Sequence, residues 1–178
     1  MVRTRQPSVV SRRGAASVIG MVFALICTSA LAFEALASEA LAAENDKVAV
    51  LAANAQFYAA LNKMFTGDVV PITAVWSHAG DVTYMGPTGT FDRGWNTVLK
   101  DWEGQAALKL GGRVEPIEMQ LLLGQDLAVV TDYEQGENTN ANGKVERVKL
   151  RATSIFRKEG AKWKMVGHHT DLLPYLAK

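Results

Sequence analysis

"KLRATSIFRKEGAKWKMVGHHTD", Lys149–Asp171, consists of two extended runs rich in β-branched and aromatic residues, separated by a charged turn containing Gly160. The pattern predicts a β-hairpin with strands over about 144–158 and 162–171. Side chains alternate between faces along a strand. Trp163, Met165, Gly167, His169 and Asp171 therefore share one face, and Lys164, Val166, His168 and Thr170 share the other. The adjacent histidines are expected to point opposite ways, which argues against a zinc pair because metal ligands must converge. Only His169 and Asp171 could do so. His78, the third histidine, is read at a helix end or turn in a solvated or capping role.

Upstream of the hairpin, two more extended runs cover about 113–123 and 126–137. The links "GQD", "ENTNANG" and "KEGA" are too short for parallel crossovers, so the last three strands should form an antiparallel meander. Asn142-Gly143 is a hairpin signal. Before Gly111 the pattern is helical. "ENDKVAVLAANAQFYAALNKMFTG" places apolar residues at 48, 51, 55, 58, 61 and 65, with Asn45 or Asp46 as cap and Gly67 as stop. Asp68 caps a short second helix, "VVPITAVW", where Pro71 is tolerated in the first turn. "DVTYM" at 81–85 reads as a strand and "GPTGTFDRG" as a loop. A third helix, "WNTVLKDWEGQAAL", aligns Trp95, Val98, Leu99, Trp102 and Ala106. The order predicts an α+β fold with three helices covering one face of a curved, mostly antiparallel sheet.

The chain has 178 residues, is 48% hydrophobic, and carries a formal net charge of +1. Its first part differs from the rest. "MVRTRQPSVVSRRG" holds four arginines and no acid, and no charge follows until Glu34. With small-residue "ALA" sites at 35–37 and 40–42, residues 1–42 read as a cleavable export signal and 43–178 as the domain. The expected location is periplasmic or secreted, and Arg12-Arg13 admits a twin-arginine route. A membrane anchor is the competing reading of the apolar run. Dilution by Ala, Ser, Thr and Gly favours cleavage, leaving no stable span. Removing residues 1–42 leaves 15 basic against 16 acidic residues and takes away Cys27, the only cysteine. The remaining domain has no basic footprint for nucleic acid and no thiol for a disulfide or nucleophile.

"VWSHAGDVTYMGPTGTFDRGW" and "KLRATSIFRKEGAKWKMVGHHTD" together resemble the nuclear transport factor 2-like superfamily, in its SnoaL-like and ketosteroid-isomerase-like bacterial branch. The resemblance covers about residues 48–173. It implies a cone: a bent sheet around helices, a pocket opening at one end, and frequent dimerisation through the outer sheet face. The family pattern turns the Trp and the final His of the last strand inward, which assigns Trp163, His169 and Asp171 to the pocket. If Arg157 sits opposite Trp163, then Thr153 faces Gly167, Arg151 faces His169, and Lys149 faces Asp171. A slip of two residues would pair Arg151 with Gly167 instead. The first register gathers a guanidinium, an imidazole and a carboxylate. In one reading Asp171 or His169 is a general base and Arg151 stabilises an oxyanion. In the other, Arg151 and Asp171 form a structural ion pair and His169 is a hydrogen-bonded core residue. Gly167 and His168 depart from the His and Arg of the family pattern, which favours ligand accommodation over catalysis.

Aromatic walls with few polar groups suit a partly apolar organic ligand. Tyr84, Trp95, Trp76 and Thr153 are the candidate ligand contacts, and Trp102 and Trp163 are read as core. Asp132 and Tyr133 lie on opposite faces of their strand, with the inward one undetermined, and Glu134–Lys149 reads as a solvated hairpin. Two functions follow as expectations. One is small-molecule binding with proton-transfer chemistry of the isomerase, cyclase or dehydratase type, needing no cofactor and no metal. The other is a non-catalytic homodimerisation or partner-binding module using an outer face of His168, Val166, Ala152, Ser154 and Phe156.

Overall fold

The computed structural model describes residues 16–140 and 142–172, so the arginine-rich start and Arg12-Arg13 lie outside the described residues. Two compact units are present, Met1–Ala43 and Glu44–Lys178. Among the described residues, no helix is long and apolar enough to cross a membrane.

The helix α1 spans Ala16–Met64, so Asn45 and Asp46 do not start it. Asp46 instead accepts hydrogen bonds from Lys158 Nζ at 2.7 Å and from the Trp163 indole at 3.1 Å. These bonds, the lysine's first, hold its carboxyl below the usual range. The buried stripe of α1 agrees with the expected one at Tyr58, Leu61 and Phe65 but departs from it nearer the start. Val50, Ala53, Phe57, Leu61 and Met64 are buried, while Val48 is exposed. An alanine-rich helix offers several apolar stripes, and the one carrying Phe57 and Met64 covers the most apolar area when buried. The helix α2 spans Val70–Val75, and Asp68 Oδ1 accepts from the Val70 N–H at 3.1 Å. The helix α3 spans Trp95–Ala107 and buries Val98, Trp102 and Ala106.

Six strands form one sheet in the order β2-β1-β6-β5-β4-β3. They are β1 Thr83–Met85, β2 Asp92–Arg93, β3 Arg113–Leu123, β4 Leu127–Thr139, β5 Val145–Glu159 and β6 Lys162–Leu172. The meander from β3 to β6 is antiparallel, as the short links require. β1 joins β6 in parallel, through a connection long enough to hold α3. Part of the expected loop is β2, which pairs with β1. The fold is α+β, with the core centred on Phe57, Met64, Trp76, Trp102, Phe156 and Met165.

One irregularity decides which residues face the core. Phe156 pairs with Met165, but Ile155 pairs with Gly167, so Val166 is an extra residue in β6. Such a bulge shifts the alternation of the bulged strand by one position. Before it, Trp163 and Met165 are buried. After it, His168 and Thr170 are buried, His169 is exposed, and Asp171 is partly exposed. On β5 the buried series is Leu150, Ala152, Ser154 and Phe156.

Candidate active site

The inner faces of β4, β5 and β6 meet α1, β1 and α3 around a cavity of about 350 Å³. Leu61, Phe65, Trp102, Leu110, Val114 and Leu150 supply apolar walls, while Tyr84, Gln105, Glu134, His168 and Thr170 bring polar atoms to it. A volume of this size, mostly apolar with a few placed polar groups, suits a small organic molecule.

Buried polar groups in such a wall must find partners. His168 Nδ1 lies 3.0 Å from Ser154 Oγ, and His168 Nε2 lies 3.3 Å from Glu134 Oε1. Ser154 sits directly opposite His168 in the β5–β6 ladder, so the sheet register itself fixes the ring. Phe57 packs on the imidazole with ring centroids 4.6 Å apart. Glu134 Oε1 also accepts from the Tyr58 hydroxyl at 3.2 Å, and the same hydroxyl lies 2.9 Å from Asp132 Oδ1. Both of these contacts of Glu134 go to Oε1, and the residue lines the cavity.

Tyr84 stands beside this cluster on β1, as the ladder partner of His168. Its ring is nearly parallel to His168 at a centroid separation of 6.0 Å. The phenolic oxygen accepts from Gln105 Nε2 at 3.0 Å, and Gln105 is itself held by Asp101 Oδ2 at 2.7 Å. Burial pushes the phenol well above its ordinary value, so it keeps its proton and can donate. Burial likewise raises Tyr58, reinforced by the charges of Glu134 and Asp132. Asp132 is pushed up to about 6, by burial first, with Tyr58 pulling the other way. The Asp132 Oδ2 and Thr170 Oγ1 atoms are buried without a hydrogen-bond partner.

The expected site residues fall elsewhere, with one exception. Tyr84 lines the cavity. His169 and Asp171 do not line it, because the Val166 bulge turns them to the opposite face. Arg151 is exposed and paired with Asp171, its Nε 3.2 Å from Oδ1 and a second, shorter contact joining Nη2 to Oδ2. The expected register was displaced: Arg151 sits opposite Asp171, and Thr153 opposite His169, on the outer face. The geometry therefore matches the ion-pair alternative for Arg151 and Asp171. Trp76 is core, bridged to Met165, and Trp95 stacks on His78 with centroids 4.3 Å apart; neither lines the cavity. His78 is exposed at the end of α2, with Nε2 2.8 Å from the Thr73 carbonyl. Asp132 is the inward member of its pair, and Glu134 is buried rather than solvated. His168, Ala152, Ser154 and Phe156, expected on the outer face, are buried on the inner one.

Two signals in the sequence bore on these reversals. A glycine inside a strand pattern, here Gly167, marks a candidate bulge. On β5, the face with Lys149, Arg151 and Arg157 carries three cations, whereas the other face offers Leu150, Ala152, Ser154 and Phe156. Burying the second face is far cheaper.

The mixed sheet wrapped on three helices, with its cavity lined from both, is the nuclear transport factor 2-like fold. Within that fold the SnoaL-like domain matches residues 50–173, and the chain belongs to this family. Solved structures agree at the level of fold. A candidate dehydratase of the NTF2-like family from Streptomyces avermitilis is 22% identical, with a TM-score of 0.65 over 74% of this chain and 99% of that one. A candidate aromatic ring hydroxylase from Novosphingobium aromaticivorans is 16% identical, with a TM-score of 0.62 over 73% and 91%. The association domain of CaMKII from C. elegans is 13% identical, with a TM-score of 0.58 over 74% and 98%. No curated protein matches the sequence.

Proposed function

We propose that this chain is an exported SnoaL-like domain that holds a small, partly apolar organic molecule in the cavity and moves a proton on it without a cofactor. The reaction would be of the isomerase, cyclase or dehydratase type. The observation that carries the proposal is that Glu134 and Tyr84 line one largely apolar cavity on the same sheet face, with His168 between them. Glu134 Oε2 is the proton acceptor, and His168, oriented by Ser154, holds the other oxygen. As charge develops on a substrate oxygen, the Tyr84 O–H donates to it, with Gln105 fixing the phenol from behind. Leu61, Phe65 and Trp102 surround these groups with apolar surface, which strengthens both interactions.

The test is mass spectrometry of small molecules co-purifying with the protein and with Val148→Trp, which adds bulk to the cavity lining. A compound retained by the wild type and lost from the variant supports the assignment. Identical profiles refute it. If a retained compound is turned over, Glu134→Gln is expected to slow turnover by on the order of 10²-fold or more, the usual range for loss of a general base.

A second reading, assembly through the outer sheet face, is favoured by a different observation. Leu122 is 74% exposed there, opposite Val129 in the β3–β4 ladder. An apolar side chain standing on a sheet face suits a homodimer contact. The two readings are compatible, since the cavity opens on the other face.

A further inference from the structure

The proton-transfer reading uses Glu134, His168 and Tyr84 but leaves Asp132 and Tyr58 without a role. Both are buried on the cavity wall's far side: neither lines the cavity. Tyr58 has one hydroxyl proton and two carboxylate oxygens within reach, Asp132 Oδ1 at 2.9 Å and Glu134 Oε1 at 3.2 Å. A phenol can donate only once, so it serves one of them fully, unless Asp132 is itself protonated and donates to the phenolic oxygen. The group holds two carboxyls and one imidazole, and no lysine or arginine among the described residues contacts it. Two carboxylates cannot both be buried as anions cheaply, which favours a proton on one of them.

We propose that Tyr58 is a two-position hydrogen-bond switch that lets Asp132 set the basicity of Glu134. With Asp132 protonated, its O–H points at the Tyr58 oxygen and the Tyr58 O–H serves Glu134, which makes Glu134 a weaker base. With Asp132 ionised, it accepts the Tyr58 O–H hydrogen bond, Glu134 loses a donor, and Glu134 becomes a stronger base. The step moves protons only: Asp132 gives one to solvent and the Tyr58 O–H turns. Asp132 and Tyr58 are thus positioning residues, acting through Glu134 without touching the ligand. The inference rests on the proposed function only for what Glu134 does to a ligand. The switch itself exists in the empty protein.

The charged and titratable surroundings are few. α1 contributes Tyr58; β4 contributes Glu134; β6 contributes His168; β1 contributes Tyr84, backed by Asp101 on α3. β5 presents Ala152 and Ser154, which do not titrate in this range, and the exposed cations Arg147 and Lys149, which line the same cavity as Glu134; Glu118 on β3, where its register with β4 shifts, is exposed. Burial of Asp132, which pushes its carboxyl up to about 6, places the changeover in the mildly acidic range.

The experiment is ¹³C NMR titration of side-chain carboxyls in the ligand-free protein, wild type against Asp132→Asn and Tyr58→Phe. In the wild type, the Glu134 carboxyl resonance is expected to follow the Asp132 inflection. In Asp132→Asn, whose amide has no ionised form, the Glu134 resonance is expected to be flat at that pH. In Tyr58→Phe, Asp132 loses its donor and its inflection is expected about one pH unit higher. A Glu134 inflection unchanged in Asp132→Asn overturns the proposal. So does an Asp132 inflection unchanged in Tyr58→Phe, which still decides the matter if Asp132→Asn does not fold. Because no ligand is present, these results are independent of the co-purification test: a working switch with an empty cavity sinks the function, and a bound molecule without coupling sinks the switch.

Discussion

Replacing Asp132 by asparagine should change the pH dependence of stability in a direction fixed by its burial. The carboxyl is pushed up from 3.8 to about 6 in the folded protein. Between those values the native state binds more protons than the unfolded chain, so stability falls as pH rises through the window. Below about pH 4 the penalty is absent, and above about pH 7 it is complete. A displacement of about two pH units at 1.36 kcal/mol each amounts to roughly 3 kcal/mol. That is a large share of the ~5–15 kcal/mol that a domain of this size has in total. The amide of the variant has no such titration, so the wild type should lose about 3 kcal/mol relative to Asp132→Asn between about pH 4 and pH 7. Urea unfolding of both proteins across that range measures the difference, because groups that do not sense Asp132 contribute equally to both. Parallel stability curves would refute the argument, since they would mean that Asp132 ionises at an ordinary value and its burial costs nothing. A difference that grows toward acid pH would refute it more strongly, by showing a carboxylate stabilised by its surroundings.

The remaining predictions concern packing, the outer face and assembly. Trp102→Ala empties the centre of the core, where the indole is 1% exposed, and should cost about 3–5 kcal/mol in denaturant unfolding. At Gly136 an added Cβ would lie 1.9 Å from the Arg113 carbonyl oxygen across the β3–β4 ladder. Gly136→Ala should therefore destabilise by about 1–3 kcal/mol, and by more if β3 detaches, which hydrogen exchange of the strand would show. Arg151→Ala and Asp171→Asn break only an exposed ion pair and are expected to leave melting temperature and any co-purified compound nearly unchanged. If the outer face makes a homodimer, Leu122→Glu should convert it to monomer by light scattering. A wild type that is already monomeric would remove that reading.

The hairpin and meander were legible because alternation, the Asn142-Gly143 turn and short links leave no other pairing. The boundaries of β3, β4, β5 and β6 agree with expectation within two residues. The site was much less legible. A strand's faces can be told apart only by counting twos, and a single inserted residue, Val166, reverses every position after it. The expected trio of Arg151, His169 and Asp171 was thereby exchanged for the buried group around His168 and Glu134. Nor can a local pattern reveal that Tyr58, 74 residues before Asp132, meets it on the inner side of the sheet. The expected stripe turns Tyr58 inward but says nothing of which strand residue it will meet.

The parallel pairing of β1 with β6 bears on the order in which the molecule assembles. Thr83 meets Gly167 and Tyr84 meets His168, contacts separated by more than eighty positions along the chain. Closing so long a loop is entropically expensive, and such contacts tend to slow folding. The β3 to β6 meander, joined by tight turns, can form early from local pairings. Tyr84 reaches the cavity only when β1 docks on its far edge. The wall bearing Glu134 and His168 can therefore exist before the donor that completes it, and a partly folded chain would expose that apolar wall to water. Slow β1 docking would make this intermediate the form most open to aggregation.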